Sequence, residues 1–154
     1  MALGDKTKEF EGWSAVIYRD SVGKRTIGYG FNLDDPAIAK DIPGDIEAGN
    51  RPITKEEAEP IFQRLYANAR KDAIRYLGEV EFNTSLVQIQ ETLTDMAYNL
   101  GLTRLSGFKK FKIALLNRNY SKAAEELKDS RWFDQVARRS RHHYDIFNTA
   151  NKGG

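Results

Sequence analysis

No cysteine occurs among the 154 residues, which excludes a disulfide frame and a thiolate metal site alike. Histidine is nearly as scarce. The two present, His142 and His143, are adjacent, and neighbouring helical side chains cannot face one ion together. A metal-dependent amidase or endopeptidase is therefore poorly supported, and neither a metal nor another cofactor is expected. No apolar run reaches transmembrane length and none resembles a signal h-region, because Met1-Ala-Leu-Gly-Asp-Lys turns polar at once. The chain is thus expected to remain in the cytoplasm until something lets it out, without stable membrane insertion. Repeats and low-complexity tracts are absent too. At 40% hydrophobic residues the chain can build one domain-sized core or two small lobes.

Charge of neither sign dominates the total, which is +2, but its distribution is uneven. Residues 1–101 carry 12 Lys+Arg against 17 Asp+Glu, and residues 102–154 carry 12 against 5, balances of −5 and +7. A basic half suits an anionic partner, or simply solvates short helices. The run Arg138-Arg139-Ser140-Arg141-His142-His143 has the charge for nucleic acid, but no reading motif accompanies it, and no nucleic-acid partner is expected.

Periodicity divides the chain. A short amphipathic helix over 5–11 stops at Gly12, and Ala15-Val16-Ile17-Tyr18 and Thr26-Ile27-Gly28-Tyr29 read as strands around a turn at Gly23. Residues 32–52, rich in Asp, Pro and Gly, read as irregular structure closing a small lobe. Thr54-Lys-Glu-Glu57 is a capping-box pattern, and Ala58, Ile61, Leu65, Ala69, Ala73 and Leu77 follow at helical spacing up to Gly78. Such a helix is long enough to bridge two lobes. Further helices are expected over 85–100, 107–117, 121–128 and 137–149, with residues 151–154 as a frayed tail. The expectation is one α+β domain: an N-terminal lobe over about 12–53 with a short antiparallel sheet, a connecting helix over about 55–78, and an all-helical C-terminal lobe over about 79–150 that also takes the first helix, 1–11.

Chemistry concentrates near the start. Glu11, Asp20 and Thr26 follow one another at intervals of nine and six, with Gly12 after the glutamate and Gly28-Tyr29-Gly30 after the threonine. Asp20 and Thr26 are expected to face each other across the hairpin, near the helix end that carries Glu11. Glu11 lies beside apolar Phe10 and Trp13 and Asp20 on a polar turn. Two carboxylates in such different settings hold different protonation states at one pH, as acid and base work on a glycosidic bond requires. Taken singly, Glu11 also reads as a solvated helix acid, Asp20 as a turn residue and Thr26 as an ordinary strand residue.

Jointly, Phe10-Glu11-Gly12-Trp13, Tyr18-Arg19-Asp20 and Gly23-Lys-Arg-Thr26-Ile27-Gly28-Tyr29-Gly30 resemble the start of the phage T4-type lysozymes, glycoside hydrolase family 24. Asn99-Leu100-Gly101, Gly107-Phe108, Ala123-Ala124 and Ser130-Arg131-Trp132 with Arg138-Arg139 extend that resemblance over nearly the whole chain. It implies a two-lobe α+β fold with a substrate cleft and an inverting N-acetylmuramidase acting on bacterial peptidoglycan. Such an enzyme is a monomeric endolysin, held in the host cytoplasm until a holin releases it to the periplasm. Glu11 would be the general acid, with Asp20 and Thr26 activating the water. Arg139, with Arg138 as its rival, matches the arginine that pairs with the catalytic glutamate, and Tyr18 would support the site. Gly30, Asn32, Tyr98 and Asn99 match positions that contact saccharide. Two residues depart from the pattern: Phe31 stands where histidine is common, and Phe111 where a substrate-touching serine is common. Phe111 offers either a stacking surface or core packing. The alternatives to an endolysin are a peptidoglycan-binding module that does not cut, and a lysozyme domain of a phage tail protein.

Overall fold

The computed structural model describes residues 3–153, apart from the side chains of Gln135, Ala137, Arg138 and 151–153. The order of elements is α1 (Asp5–Glu11), β1 (Ser14–Arg19), β2 (Arg25–Gly28), β3 (Phe31–Asn32), α2 (Pro36–Ala39), α3 (Gly44–Glu47), α4 (Lys55–Leu77), α5 (Glu79–Asn83), α6 (Val87–Ser106), α7 (Lys109–Leu116), α8 (Tyr120–Lys128), α9 (Arg131–Gln135) and α10 (Ala137–Gly153). This is the α+β composition the periodicity predicts. Contacts divide it into two compact units, residues 1–65 and 66–154, and the division falls inside α4.

In the first unit β1, β2 and β3 form an antiparallel sheet in that order. The β1–β2 ladder pairs Ser14 with Gly28 and Tyr18 with Thr26, so β1 bulges between the two pairings. Ile27, Phe31, Ile46, Ile53 and Phe62 fill the core beneath it. Phe31, which stands where histidine is common in the resembled family, is fully buried. It packs edge-on to Tyr29, and a Cβ on Gly28 would come within 2.7 Å of its ring. By its contacts helix α1, which the sequence analysis groups with the later helices, falls within residues 1–65. Lys8 reaches Glu59 at 2.6 Å and lies over the rings of Tyr29 and Phe62, so cation–π and ionic contacts dock the helix here. The segment read as irregular contains β3 and the one-turn helices α2 and α3.

The start of α4 is fixed as its sequence indicates. Thr54 Oγ1 accepts from the Glu57 amide at 3.1 Å, and Glu57 Oε1 accepts from the Thr54 amide at 3.1 Å, the reciprocal capping box. Arg51 adds ionic contacts to Glu57 and Asp45.

The second unit is helical and closes around Leu93, Met96, Leu105, Phe111, Leu127 and Phe147. Burying a side chain of this size contributes about 1.5–3 kcal/mol. Two boundaries differ from expectation. Helical structure continues past residue 100 to Ser106, but only across a break at Gly101, whose φ of 77° and ψ of 164° are not helical. The last helix runs to Gly153, through most of the stretch read as a tail. Among the described residues no helix is long and apolar enough to cross a membrane.

Candidate active site

Glu11 is carried on the last turn of α1. The Gly12 amide donates to the Lys8 carbonyl at 2.9 Å, and Gly12 takes φ 73°, so the helix ends there and leaves Glu11 half-buried at its edge. The chain after β2 comes back to meet it. Gly30, at φ 74°, sets its backbone against the Glu11 side chain so closely that a Cβ there would overlap Oε2 of the carboxylate. Only glycine combines that φ with that approach, and Gly30 therefore forms the seat of the Glu11 carboxyl.

Asp20 lies one residue beyond β1, in the turn leading to β2. Its amide donates to the Lys24 carbonyl at 3.0 Å, and its own carbonyl accepts from the Gly23 amide at 2.9 Å. Its Oδ1 accepts from the amides of Val22 at 3.0 Å and Lys24 at 2.9 Å. Two backbone donors on one oxygen fix the carboxylate in place. Thr26 sits 4% exposed in β2, and its Oγ1 donates to the Lys24 carbonyl at 2.9 Å. The expectation that Asp20 and Thr26 face each other requires correction. In the β1–β2 ladder Tyr18 stands opposite Thr26 and Arg19 opposite Arg25, and Asp20 lies beyond the last pair, in the turn.

Tyr18 links the three groups. Its phenol pKa is raised by partial burial and then by the negative charges of Glu11 and Asp20, so both carboxylates lie within electrostatic reach of the residue that pairs with Thr26. The first unit thus carries Glu11, Asp20, Thr26, Gly30 and Tyr18 along one small sheet, with Asp20 in the β1–β2 turn and Gly30 in the β2–β3 turn. Below them Trp13, Tyr29 and Phe62 form an aromatic floor, with ring centroids 4.9 and 5.6 Å apart. Asn32 pairs with Thr26 in the ladder, but its Oδ1 accepts from the Asp34 amide at 2.9 Å, so its carbonyl oxygen shapes the turn into α2.

The remaining sequence candidates lie in the second unit. Asn99 Oδ1 accepts from the Trp132 indole at 2.7 Å, and Tyr98 packs, partly buried, against the helical core. Phe111 is 1% exposed and packs edge-to-face with Phe108 and Phe147. It is core, although it also borders a cavity of about 410 Å³ between Phe108, Lys110 and Ser130. Arg139 is buried and grips Asp95 with two bonds, Nε to Oδ2 at 2.8 Å and Nη2 to Oδ1 at 3.0 Å. The side chain of Arg138, its rival, lies outside the described residues.

Sequence reasoning missed two members of this cluster, Asp95 and His143. His143 Nε2 lies 2.6 Å from the Asp95 carboxylate, and the imidazole stacks on Trp132 at 6.0 Å. Burial pushes the Asp95 carboxyl up, but the His143 hydrogen bond and the charge of Arg139 outweigh it and bring it down to about 2. Two sequence signals were available. Asp95 is a lone charge in the apolar run Leu93-Thr94-Asp95-Met96-Ala97, and Arg139 and His143 are four residues apart on one helix face. The basic run at 138–143 is thus no solvated stripe, since two of its members turn inward.

A family model described as phage lysozyme matches residues 8–141. Probable T4-type lysozyme 2 of Dictyostelium discoideum is 28% identical over 160 residues, covering 96% of this chain and 94% of that protein. Probable T4-type lysozyme 1 of the same organism is 25% identical, with the same coverage of each. The pre-baseplate central spike protein Gp5 of Enterobacteria phage T4 is 25% identical over 91% of this chain but only 26% of its own length.

Proposed function

The chain belongs to the phage lysozyme family, and on that premise we propose that it hydrolyses the β-1,4 bond between N-acetylmuramic acid and N-acetylglucosamine in bacterial peptidoglycan, with inversion. Glu11 protonates the departing glycosidic oxygen. Asp20 takes a proton from the attacking water through Oδ2, since Oδ1 is occupied by two amides. The Thr26 hydroxyl directs its one hydrogen-bond donor at the Lys24 carbonyl, so its lone pairs accept from the same water and orient it. Inversion needs room for that water, with the two carboxyls on the order of 6.5–9.5 Å apart. The observation that carries this reading is geometric: Asp20 and Thr26 are both anchored on the Lys24 backbone, in the same compact unit that seats the Glu11 carboxyl against Gly30.

The decisive experiment is clearing of isolated cell walls by the parent and by Glu11→Gln. The amide keeps the shape but cannot give a proton, and the rate should fall roughly 10²–10⁴-fold with the fold intact. Parent-like clearing by the variant would overturn the assignment. Proton NMR of the first-formed reducing end, α for inversion and β for retention, tests the stereochemistry. Acting in a cell, such an enzyme meets the wall only after a membrane opening lets it pass. The match to part of the Gp5 spike favours a second setting, in which the same hydrolase is a module of a larger particle. Mass spectrometry of purified particles and of lysate supernatant distinguishes the two settings.

A further inference from the structure

Between Asp95 and Glu125 the chain carries no acidic residue, while Arg104, Lys109, Lys110, Lys112, Arg118 and Lys122 fall in that stretch. Helix α7 lies at its centre. At about 100° per residue, Phe111, Ala114 and Leu115 share the inward face, and all three are buried. The opposite face holds Ile113 and Leu116 side by side, 58% and 43% exposed, with Lys109 between them and Lys110 and Lys112 on the flanks. Large apolar side chains standing in water at the middle of a lysine-edged helix face are not needed for the core, which the inward residues already fill. Beside this face a cavity of about 340 Å³ opens between α7 and α8, with Lys110 and Lys122 on its walls, Ala114 in its lining and one acid, Glu126, at its border. Lys122, itself exposed, contacts the exposed Glu125 at 3.6 Å and the part-buried Glu126 at 3.2 Å, and the exposed contact exchanges readily for another anion.

We propose that the outer face of α7 docks on an anionic lipid surface, with Ile113 and Leu116 entering the headgroup boundary and the lysines bound to headgroup phosphates. The charge complementarity names an anionic partner, and the exposed Ile and Leu select lipid over a purely polar polyanion, since only a lipid boundary offers apolar matter beneath its charge. The binding is peripheral and reversible. It stands apart from hydrolysis, because none of these residues belongs to the site in the first unit.

The test is co-sedimentation of the whole protein with vesicles of phosphatidylcholine alone and of phosphatidylcholine with phosphatidylglycerol, alongside isolated peptidoglycan sacculi. The parent should bind the anionic vesicles and not the zwitterionic ones. Ile113→Ser with Leu116→Ser leaves the charge unchanged, and should weaken vesicle binding at least roughly tenfold while leaving sacculus binding and wall clearing at parent levels. Lys109→Glu with Lys110→Glu should abolish vesicle binding at moderate salt. Thermal melting shows that each variant is folded. The proposal is overturned if the parent ignores anionic vesicles, or if the serine variant binds them as the parent does. It is overturned as well if the serine variant loses sacculus binding in step, which would make the face a wall-binding surface. Failure of hydrolysis in the parent leaves these binding outcomes readable.

Discussion

Asp20 and Asp95 are both aspartates at named, structured positions, and the chain holds them by opposite means. Asp20 is half-buried in a turn, and the partners of its Oδ1 are the amides of residues two and four positions away. Asp95 is 3% exposed, and its partners Arg139 and His143 lie 44 and 48 positions along the chain. The first carboxylate is fixed by local backbone at one oxygen and partly exposed, as the role proposed for it requires. The second is fixed by two distant side chains and sealed. A reactive carboxylate needs solvent or substrate on one side, whereas a structural one needs full compensation of its charge, so the two kinds of environment seldom coincide.

The largest effect should come from breaking the sealed partner. Asp95→Asn keeps the shape but leaves Arg139 buried without its counter-charge, and the cost should be about 3–5 kcal/mol in urea unfolding. A loss below about 1 kcal/mol would mean that Arg139 is compensated elsewhere, and the contrast with Asp20 would weaken.

Next is Gly30→Ala, which strikes the reactive region. The added methyl must displace the Glu11 carboxyl, and displacement of about 1 Å can cost roughly 10²-fold in turnover. Stability should fall by only about 1–2 kcal/mol, the cost of the left-handed backbone for alanine. Wall-clearing rates and melting, measured on one preparation, separate the two. Stability lost without activity would sink the view of Gly30 as the seat of Glu11.

Acid sharpens the comparison further. The folded pKa of Asp95 is depressed to about 2 from an ordinary 3.8, so its contribution is present above that ordinary value and is lost as the pH falls through about 2. That contribution is roughly 2–3 kcal/mol. Unfolding free energy measured from pH 5 to pH 2 should drop more steeply for the parent than for Asp95→Asn. Parallel curves would show that Asp95 does not govern the acid limb.

The smallest effect belongs to a purely local device. Thr54→Ala removes half of the capping box of α4 and should cost about 0.5–2 kcal/mol with no change in wall clearing. A change in activity would indicate that the start of α4 reports on the site.

Much of this architecture was legible in the sequence because short-range signals govern it. The capping box, the stop at Gly12 and the apolar period of α4 each depend on residues within a few positions of one another, and the structure agrees with all three. The pairing of Tyr18 with Thr26 was not legible, because the bulge shifts register, and register depends on which face the core demands. The docking of α1 with the first unit depends on Lys8 finding Glu59 and two rings, a meeting no local pattern announces. Phe111 was ambiguous for the same reason, since an aromatic at helical spacing serves a core or a surface equally until its neighbours are known.

By itself, the sequence determined the longer helices, the turn that holds Asp20, the spacing of Glu11, Asp20 and Thr26, and the family. These follow from backbone preferences, hydrogen bonds and motifs confined to short stretches of chain. Only the tertiary structure decided that Gly30 would seat the Glu11 carboxyl, and that Arg139 and His143 would share Asp95. It also decided that Phe31 would become core and that Ile113 and Leu116 would remain outside. Each of those outcomes depends on close packing between segments far apart in sequence, where a difference of one methyl group or one unpaired charge selects the arrangement.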